Sequence, residues 1–293
     1  MRIFLTGGTG FIGRNLKEQL AGRHEIFAPS SSELDLLDAD AVSKYVAAGR
    51  FDVAIHSATW NATRTSSKDL ARVLDCNLRM FFNLARCNSD YGRMLYYGSG
   101  AEFDRLHWRP VMGEDYFDRH VPTDDYGFSK YIMAKHSEKS ENIYNLRLFG
   151  VFGKYEDWQI RFISNACCKA VYGLPITIKQ NVVFDYLHVN DLVKITERFI
   201  DGKPASKVYN VCTQKTHDLL TLAGMVLDAA GKNSGIRVTN EGMGREYSGR
   251  NSRLMAELGG YRFRDMRECI FELYNWYMEN KNLIDKDKLL SDR

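Results

Sequence analysis

A short apolar stretch, Arg2–Thr6, runs directly into Gly7-Gly8-Thr9-Gly10-Phe11-Ile12-Gly13, and a helically spaced segment, Phe11–Leu20, opens inside those glycines. Glycines at GxxGxxG spacing let the backbone turn tightly and approach a ligand closely. The helix that follows leaves its first N–H groups and the positive end of its dipole free for an anion. A glycine pattern alone is weak evidence, since any tight turn uses the residue. The strand before it and the helix after it, at the start of the chain, select a site for a dinucleotide pyrophosphate over an ordinary turn.

The next hundred residues repeat the strand–helix alternation. Strands are expected at Glu25–Ala28, Phe51–His56, Arg93–Tyr97 and Asn142–Leu148, with helices at Ala39–Ala48, Lys68–Arg86 and near Ser129–Glu138. Apolar strands alternating with helices imply a parallel sheet covered on both faces. The expected fold class is therefore α/β: a Rossmann-type, doubly wound parallel sheet with a smaller C-terminal α/β substrate lobe.

The second half is less regular. Helices are expected at Trp158–Val171, Asp191–Ile200, Leu219–Ala230, Ser252–Leu258 and Met266–Asn280, and strands at Ile176–Lys179, Lys207–Val211 and Gly235–Thr239. Residues 1–155 form the dinucleotide domain, with 182–215 returning to it. Residues 156–181 and 216–293 form the substrate lobe, and the polar tail after Asn280 is expected to be loose.

Composition narrows the class. Of 293 residues 44% are hydrophobic, enough for a sizeable core, and the net charge of +3 argues against a dedicated nucleic-acid binder. The N-terminal apolar stretch is too short for a signal peptide, and no apolar run is long enough to span a membrane. Cys76, Cys87, Cys167, Cys168, Cys212 and Cys269 are scattered without a CxxC pair. They read as reduced core thiols of a cytoplasmic protein, with no metal site.

Two features speak to cofactor and chemistry. An acid usually ends the second strand of such a domain and binds the ribose hydroxyls. Here that stretch is Ala28-Pro29-Ser30-Ser31-Ser32, without an acid. Ser30, with Arg14 at the helix start, suits a 2′-phosphate, so NADP is favoured over NAD. Asp35 is placed either against the adenine edge or as a helix cap. In Tyr126-Gly127-Phe128-Ser129-Lys130, Tyr and Lys four apart share one helix face. An ammonium beside a phenol favours the phenolate, which fits tyrosine for proton exchange with an alcohol or ketone. Ser99, in Tyr97-Gly98-Ser99-Gly100-Ala101-Glu102-Phe103, follows the fourth strand, where ligands of open α/β sheets bind, and can hydrogen-bond the same oxygen.

With these residues the chain resembles the extended short-chain dehydrogenase/reductases, the NAD(P)-dependent epimerase/dehydratase group acting on nucleotide sugars. Further matches are His56-Ser57-Ala58, Asn77, Arg147-Leu148-Phe149-Gly150-Val151-Phe152-Gly153, Asp185-Tyr186-Leu187-His188-Val189-Asn190-Asp191 and Tyr209-Asn210-Val211. The resemblance covers residues 1 to about 215. It implies Ser99, Tyr126 and Lys130 as the catalytic set, Asn77 as an anchor of the active site and His188 as structural. Gly7, Gly10, Phe11, Ile12, Gly13, Arg14, Ser30, Asp35, Ser57, Ala58, Asn77, Tyr126 and Lys130 would line the cofactor. It also implies a homodimer through the Lys68–Arg86 and Ser129–Glu138 helices.

Departures from the family pattern restrict the reaction. The 4,6-dehydratases carry Asp–Glu directly after the catalytic hydroxyl residue. Those places are Gly100 and Ala101 here, which argues against water elimination, and Glu102 stands one place off. The epimerase–reductases use a Cys at the place of Ala101 and a later His that this chain lacks between His136 and His188. Phe184 and Gly150 replace an Arg and an Asn that usually meet substrate. A 4-keto-sugar reductase and a 4-epimerase with tightly held NAD both fit the remaining set; a non-catalytic dinucleotide scaffold is the third possibility. Arg161 and Arg245 are the candidates for a substrate diphosphate.

Overall fold

The computed structural model describes residues 1–60, 63, 66–231 and 233–291, the side chain of Ser291 excepted. The first half alternates β1 (Arg2–Thr6), α1 (Phe11–Leu20), β2 (Glu25–Phe27), α2 (Ala39–Gly49), β3 (Phe51–His56), α3 (Val73–Ala85), β4 (Tyr91–Ser99), α4 (Asp125–Lys139) and β5 (Ile143–Leu148). Then follow β6 (Gly150–Phe152), α5 (Phe162–Val171), β7 (Ile176–Asn181), β8 (Val183–His188), α6 (Val189–Asp201) and β9 (Val208–Val211). The chain closes with β10 (Thr216–Asp218), α7 (Leu219–Ala230), β11 (Ile236–Met243), α8 (Ser252–Leu258), α9 (Met266–Glu279) and α10 (Lys286–Ser291).

Six of these strands form one parallel sheet in the order β2-β1-β3-β4-β5-β9. Side chains alternate across each strand. Leu5, Ile55, Leu95 and Leu146 therefore join Leu16 of α1 and Leu192 and Phe199 of α6 on one face. Phe4, Ala54, Met94 and Tyr96 join Val42, Val46, Phe81 and Met133 of α2, α3 and α4 on the other. A third core gathers α5, α7, α9 and the chain end around Phe152 and Ile176. Leu254 and Leu258 of α8 pack back on the first face.

Register places Thr6 opposite His56 and His56 opposite Tyr96, with Ser99 three residues further along β4. The strand ends thus gather at one edge, where a ligand of such a sheet binds.

Several expectations need correction. The helix expected from Lys68 begins as α3 at Val73. Before it, Asp69 accepts the Ala71 N–H and winds Leu70–Arg72 into a tighter 3-10 turn. The α4 helix starts four residues earlier than expected, because Asp124 caps it by accepting the Gly127 N–H, and Tyr126 lies on its first turn. The tail is not loose through Ser291: Ile284 and Leu289 are buried in the third core, and Lys281 and Lys286 lie over the Tyr172 ring. The three-residue strands β6 and β10 flank β8 in a separate sheet and carry no periodic signal of their own.

Candidate active site

The glycine turn is built by close contact. Gly7 has φ +71°, and a Cβ there would lie 2.8 Å from the Ala58 amide nitrogen. A Cβ on Gly13 would fall 2.8 Å from the Gly8 Cα, so α1 can pass this near the turn only with glycine. Ser57 and Ala58 are thereby pressed against Gly7. Thr6 Oγ1 accepts the Ala58 N–H at 3.1 Å and pairs with His56 Nδ1 at 2.9 Å. Burial, and then the Lys130 ammonium, push the His56 imidazole down to about 3, so it stays neutral. Gly10 caps α1 with no side-chain bond and no acid occupies its first turn. The amides of Phe11, Ile12 and Gly13 face that end, where a helix leaves its N–H groups without internal partners. This cradle, which a single Cβ would fill, fits a pyrophosphate. Beside it a groove is lined by Gly8, Thr9, Arg14, Lys17, Glu18 and Tyr155, with the Arg14 guanidinium 5.2 Å from the Tyr155 ring centre.

Past the end of β2, where no acid closes the strand, the serine run is folded onto a later carboxylate. The Glu33 carboxylate accepts the Ser30 N–H at 2.7 Å and the Ser30 hydroxyl at 2.8 Å, and these bonds hold its pKa below the usual value. Asp35 accepts the Leu37 N–H, and Asp38, rather than Asp35, caps α2.

The expected catalytic residues come together at the end of β4. Lys130, 5% exposed, donates to the Tyr97 carbonyl at 2.9 Å. Its ammonium lies 4.8 Å from the Tyr96 ring centre and 5.9 Å from that of Tyr126. The half-buried Tyr126 rides the first turn of α4, which abuts the turn after Ser99: a Cβ on Gly127 would stand 2.9 Å from the Ala101 carbonyl oxygen. Ser99 is half-buried, and its hydroxyl accepts the Ala101 N–H at 3.1 Å. Asn77, 2% exposed, accepts from Thr59 Oγ1 and the Trp60 N–H, so it anchors the loop that leaves β3.

The chain matches the NAD dependent epimerase/dehydratase family over residues 3–212. It belongs to that family. Curated relatives include a GDP-6-deoxy-D-mannose reductase of Pseudomonas aeruginosa, 25% identical over 78% of this chain and 80% of the relative. Another is a UDP-glucose 4-epimerase of Lacticaseibacillus casei, 24% identical over 94% of this chain and 97% of that one. Among solved structures, a GDP-L-fucose synthetase of Naegleria fowleri bound to NADP superimposes with a TM-score of 0.83 at 16% identity, covering 96% of this chain and 95% of that one. As a member of this NAD(P)-dependent enzyme family, the protein uses a nicotinamide dinucleotide.

Glu102 is turned inward beneath the turn after β4. It is fully buried, accepts the Ser99 N–H at 3.0 Å, and is met by Arg147 Nε at 2.6 Å and by Asn145 Nδ2. Its carboxylate is thus committed to structural partners. His188 accepts the Asn190 N–H and adjoins Arg264; burial first and that guanidinium second push its pKa down. These contacts make it part of the packing at the start of α6.

Arg161 and Arg245 do not meet at the catalytic set. Arg161 is exposed at the start of α5, where its charge reaches the buried Glu156. Arg245 donates to the carbonyls of Arg105 and Leu106 and so latches the loop after Ser99. Two residues that carried no motif stand at the site instead. Arg105 lies beside Trp108, and Tyr247 is buried over Gly100. Among the described residues no cluster suits a metal ion, all six cysteines are free and buried, and no helix is long and apolar enough to cross a membrane.

Proposed function

We propose that the protein reduces the 4-keto group of a nucleotide-activated sugar, with Ser99, Tyr126 and Lys130 as the working set and NADPH as the preferred reductant. The observation that carries this is the meeting of Ser99, the Tyr126 ring and the Lys130 ammonium beyond the end of β4, with no acid at Gly100 or Ala101 and with Glu102 held by Arg147. The pairing supports carbonyl–alcohol chemistry and leaves elimination without its acid. The relatives named as reductase and synthetase support the same class.

When bound, the reduced nicotinamide would supply the hydride that the carbonyl carbon takes up. Tyr126 gives its phenolic proton to the carbonyl oxygen, so the C=O bond becomes CH–OH and the charge left behind is a phenolate. The Lys130 ammonium, fixed on the Tyr97 carbonyl, faces that charge. Ser99 hydrogen-bonds the same oxygen and orients it. Gly7, Gly10 and the amides of Phe11, Ile12 and Gly13 would hold the pyrophosphate, with Ser57, Ala58 and the Asn77-anchored loop on the nicotinamide side. Arg14 and Lys17, the cations lining the groove beside the glycine turn, favour a 2′-phosphate. Arg105, beside Trp108, is the cation at the Ser99 turn suited to a diphosphate, and α3 and α4 offer faces for a homodimer.

A 4-epimerase with retained NAD is the second reading; the Lacticaseibacillus casei relative, aligned over 94% of this chain, favours it. The test follows NADPH and NADH absorbance with a panel of 4-keto-6-deoxy nucleotide sugars, wild type beside Tyr126→Phe. Stoichiometric loss of reduced cofactor, lowered about 10²–10⁴-fold in the variant, supports the reductase. Sugar isomerisation without net cofactor loss supports the epimerase. Cofactor binding with no turnover of either kind overturns both and leaves a scaffold.

A further inference from the structure

The segment 245–250 crosses from the substrate lobe to the catalytic edge. Tyr247 N–H donates to the Val183 carbonyl and its own carbonyl accepts from Asp185, tying it to β8. Ser248 and Arg250 exchange backbone bonds with Met112, tying the same segment to the long connection after Ser99. Between these ties the Tyr247 ring packs on Trp108 (centroids 4.2 Å apart), Phe149 (5.1 Å) and Phe184 (5.9 Å). It ends over Gly100, where a Cβ would lie 2.8 Å from its Cε2. Its hydroxyl pairs with that of Ser99, and Tyr126 lies close enough for the two phenols to affect one another.

This arrangement sets how the Ser99 hydroxyl is held. A serine hydroxyl has one proton and two acceptor positions. The Ala101 N–H fills one position. The capping turn brings the Glu102 N–H to the same oxygen, and the Tyr247 hydroxyl, paired with that of Ser99, fixes how the serine side chain is turned. Burial raises the Tyr247 phenol well above its ordinary value, so it remains neutral throughout the working pH range. The ring meanwhile fills the space above residue 100, which in a dehydratase would hold an acid.

We propose that Tyr247 is a positioning and specificity residue: its hydroxyl holds the Ser99 side chain in place at the substrate's carbonyl oxygen, and its ring excludes an acid at position 100, restricting the site to carbonyl–alcohol exchange. This rests on Ser99, Tyr126 and Lys130 forming the reacting centre. Phe184, which stands where the family pattern has Arg, belongs to the same arrangement because it packs against this ring.

The experiment uses the full chain, NADPH, and the 4-keto-6-deoxy form of GDP-mannose as probe. Tyr247→Phe keeps the ring and removes the hydroxyl. We expect kcat to fall about tenfold, the size of one lost hydrogen bond, with the KM for NADPH and the Tm nearly unchanged. A packing role alone would move Tm and leave kcat. In parallel, Gly100→Ala is made in wild type and in Tyr247→Ala. We expect the alanine to lower Tm in wild type and to be tolerated once the ring is gone. Wild-type turnover with an unchanged kcat in Tyr247→Phe overturns the role of the hydroxyl and leaves the reductase assignment standing. Equal effects of Gly100→Ala in the two backgrounds overturn the exclusion by the ring. No wild-type turnover of the probe, together with identical behaviour of Tyr126→Phe, overturns the reacting centre itself and this proposal with it.

Discussion

Arg147 Nε meets Glu102 Oε2 at 2.6 Å with neither side chain exposed to solvent. The pair lies directly beneath the catalytic turn, since the same carboxylate accepts the Ser99 N–H. The guanidinium is enclosed between the rings of Phe103 and Phe117, 4.5 and 4.9 Å away, and its NH1 donates to Asn210 on β9. Ser99 is thus held through Glu102 to β5, the strand beside its own, and through Arg147 to β9 beyond it.

Glu102→Gln should therefore be severe despite its similar size. It leaves the Arg147 charge buried and unpaired, which costs about 3–5 kcal/mol. Tm should fall by roughly 10 °C in a protein of this size, and reductase kcat should fall with it as the Ser99 amide loses its anchor. The double variant Glu102→Gln/Arg147→Met should lose less stability than the sum of the singles, because no charge is left behind. Thermal melts of the four proteins measure this. Additive losses would show that the two side chains are not coupled.

How much of this could be read beforehand depended on local pattern. Phe51–His56 and Leu219–Ala230 were legible to the residue, the first as a bounded apolar run, the second between the cap Asp218 and the left-handed Gly231. The glycine turn, Ser99 and the Tyr126–Lys130 spacing were legible because their chemistry depends on short sequence separations. The partners of Ser99 were only half legible. Ser99-Gly100-Ala101-Glu102 carries the S-x-x-E pattern of a capping box, which folds a carboxylate onto the serine's own amide. Ser30-Ser31-Ser32-Glu33 carries it too, and the Glu33 carboxylate folds onto the Ser30 amide. Tyr247 has no such signal. It reaches Gly100 across 147 residues of sequence through backbone ties to β8 and Met112, and nothing local to Arg245-Glu246-Tyr247 announces that.

Glu33 bears on cofactor choice. Its exposed carboxylate sits on Ser30, where a 2′-phosphate would lie under the NADP(H) assignment, and Lys17 is the cation nearby. Glu33→Gln removes a negative charge facing that phosphate. The KM for NADPH should fall roughly three- to tenfold while that for NADH changes little, a modest effect because exposed charges are screened. Lys17→Ala should move NADPH in the opposite direction. Steady-state kinetics with both cofactors decide the point, and an unchanged NADPH/NADH ratio in both variants would remove these residues from cofactor discrimination.

The buried Glu156 makes stability pH-dependent in an unusual sense. Burial pushes its carboxyl from 4.5 up to about 8, only partly offset by the Ser164 hydroxyl at 2.5 Å and by Arg161. Below about 4.5 the carboxyl is protonated in both folded and unfolded chains. Above that the unfolded chain releases the proton and the folded one keeps it until about 8, so ionisation favours unfolding as pH rises through this window. His56 acts on the acid side. Its folded value of about 3 lies below its ordinary 6.5, so the stability it contributes above 6.5 is lost as pH falls towards 3. Between 6.5 and 8 only the Glu156 effect of this pair remains. Tm should therefore decline across that interval, and Glu156→Gln, which retains an acceptor for Ser164, should flatten the decline. The variant should match wild type near pH 5 and exceed it at pH 8 by several degrees, reflecting a few kcal/mol. Melts of both proteins at half-unit steps from pH 5 to 8.5 provide the check. Parallel curves throughout would mean that Glu156 ionises in the folded protein as readily as in the unfolded chain.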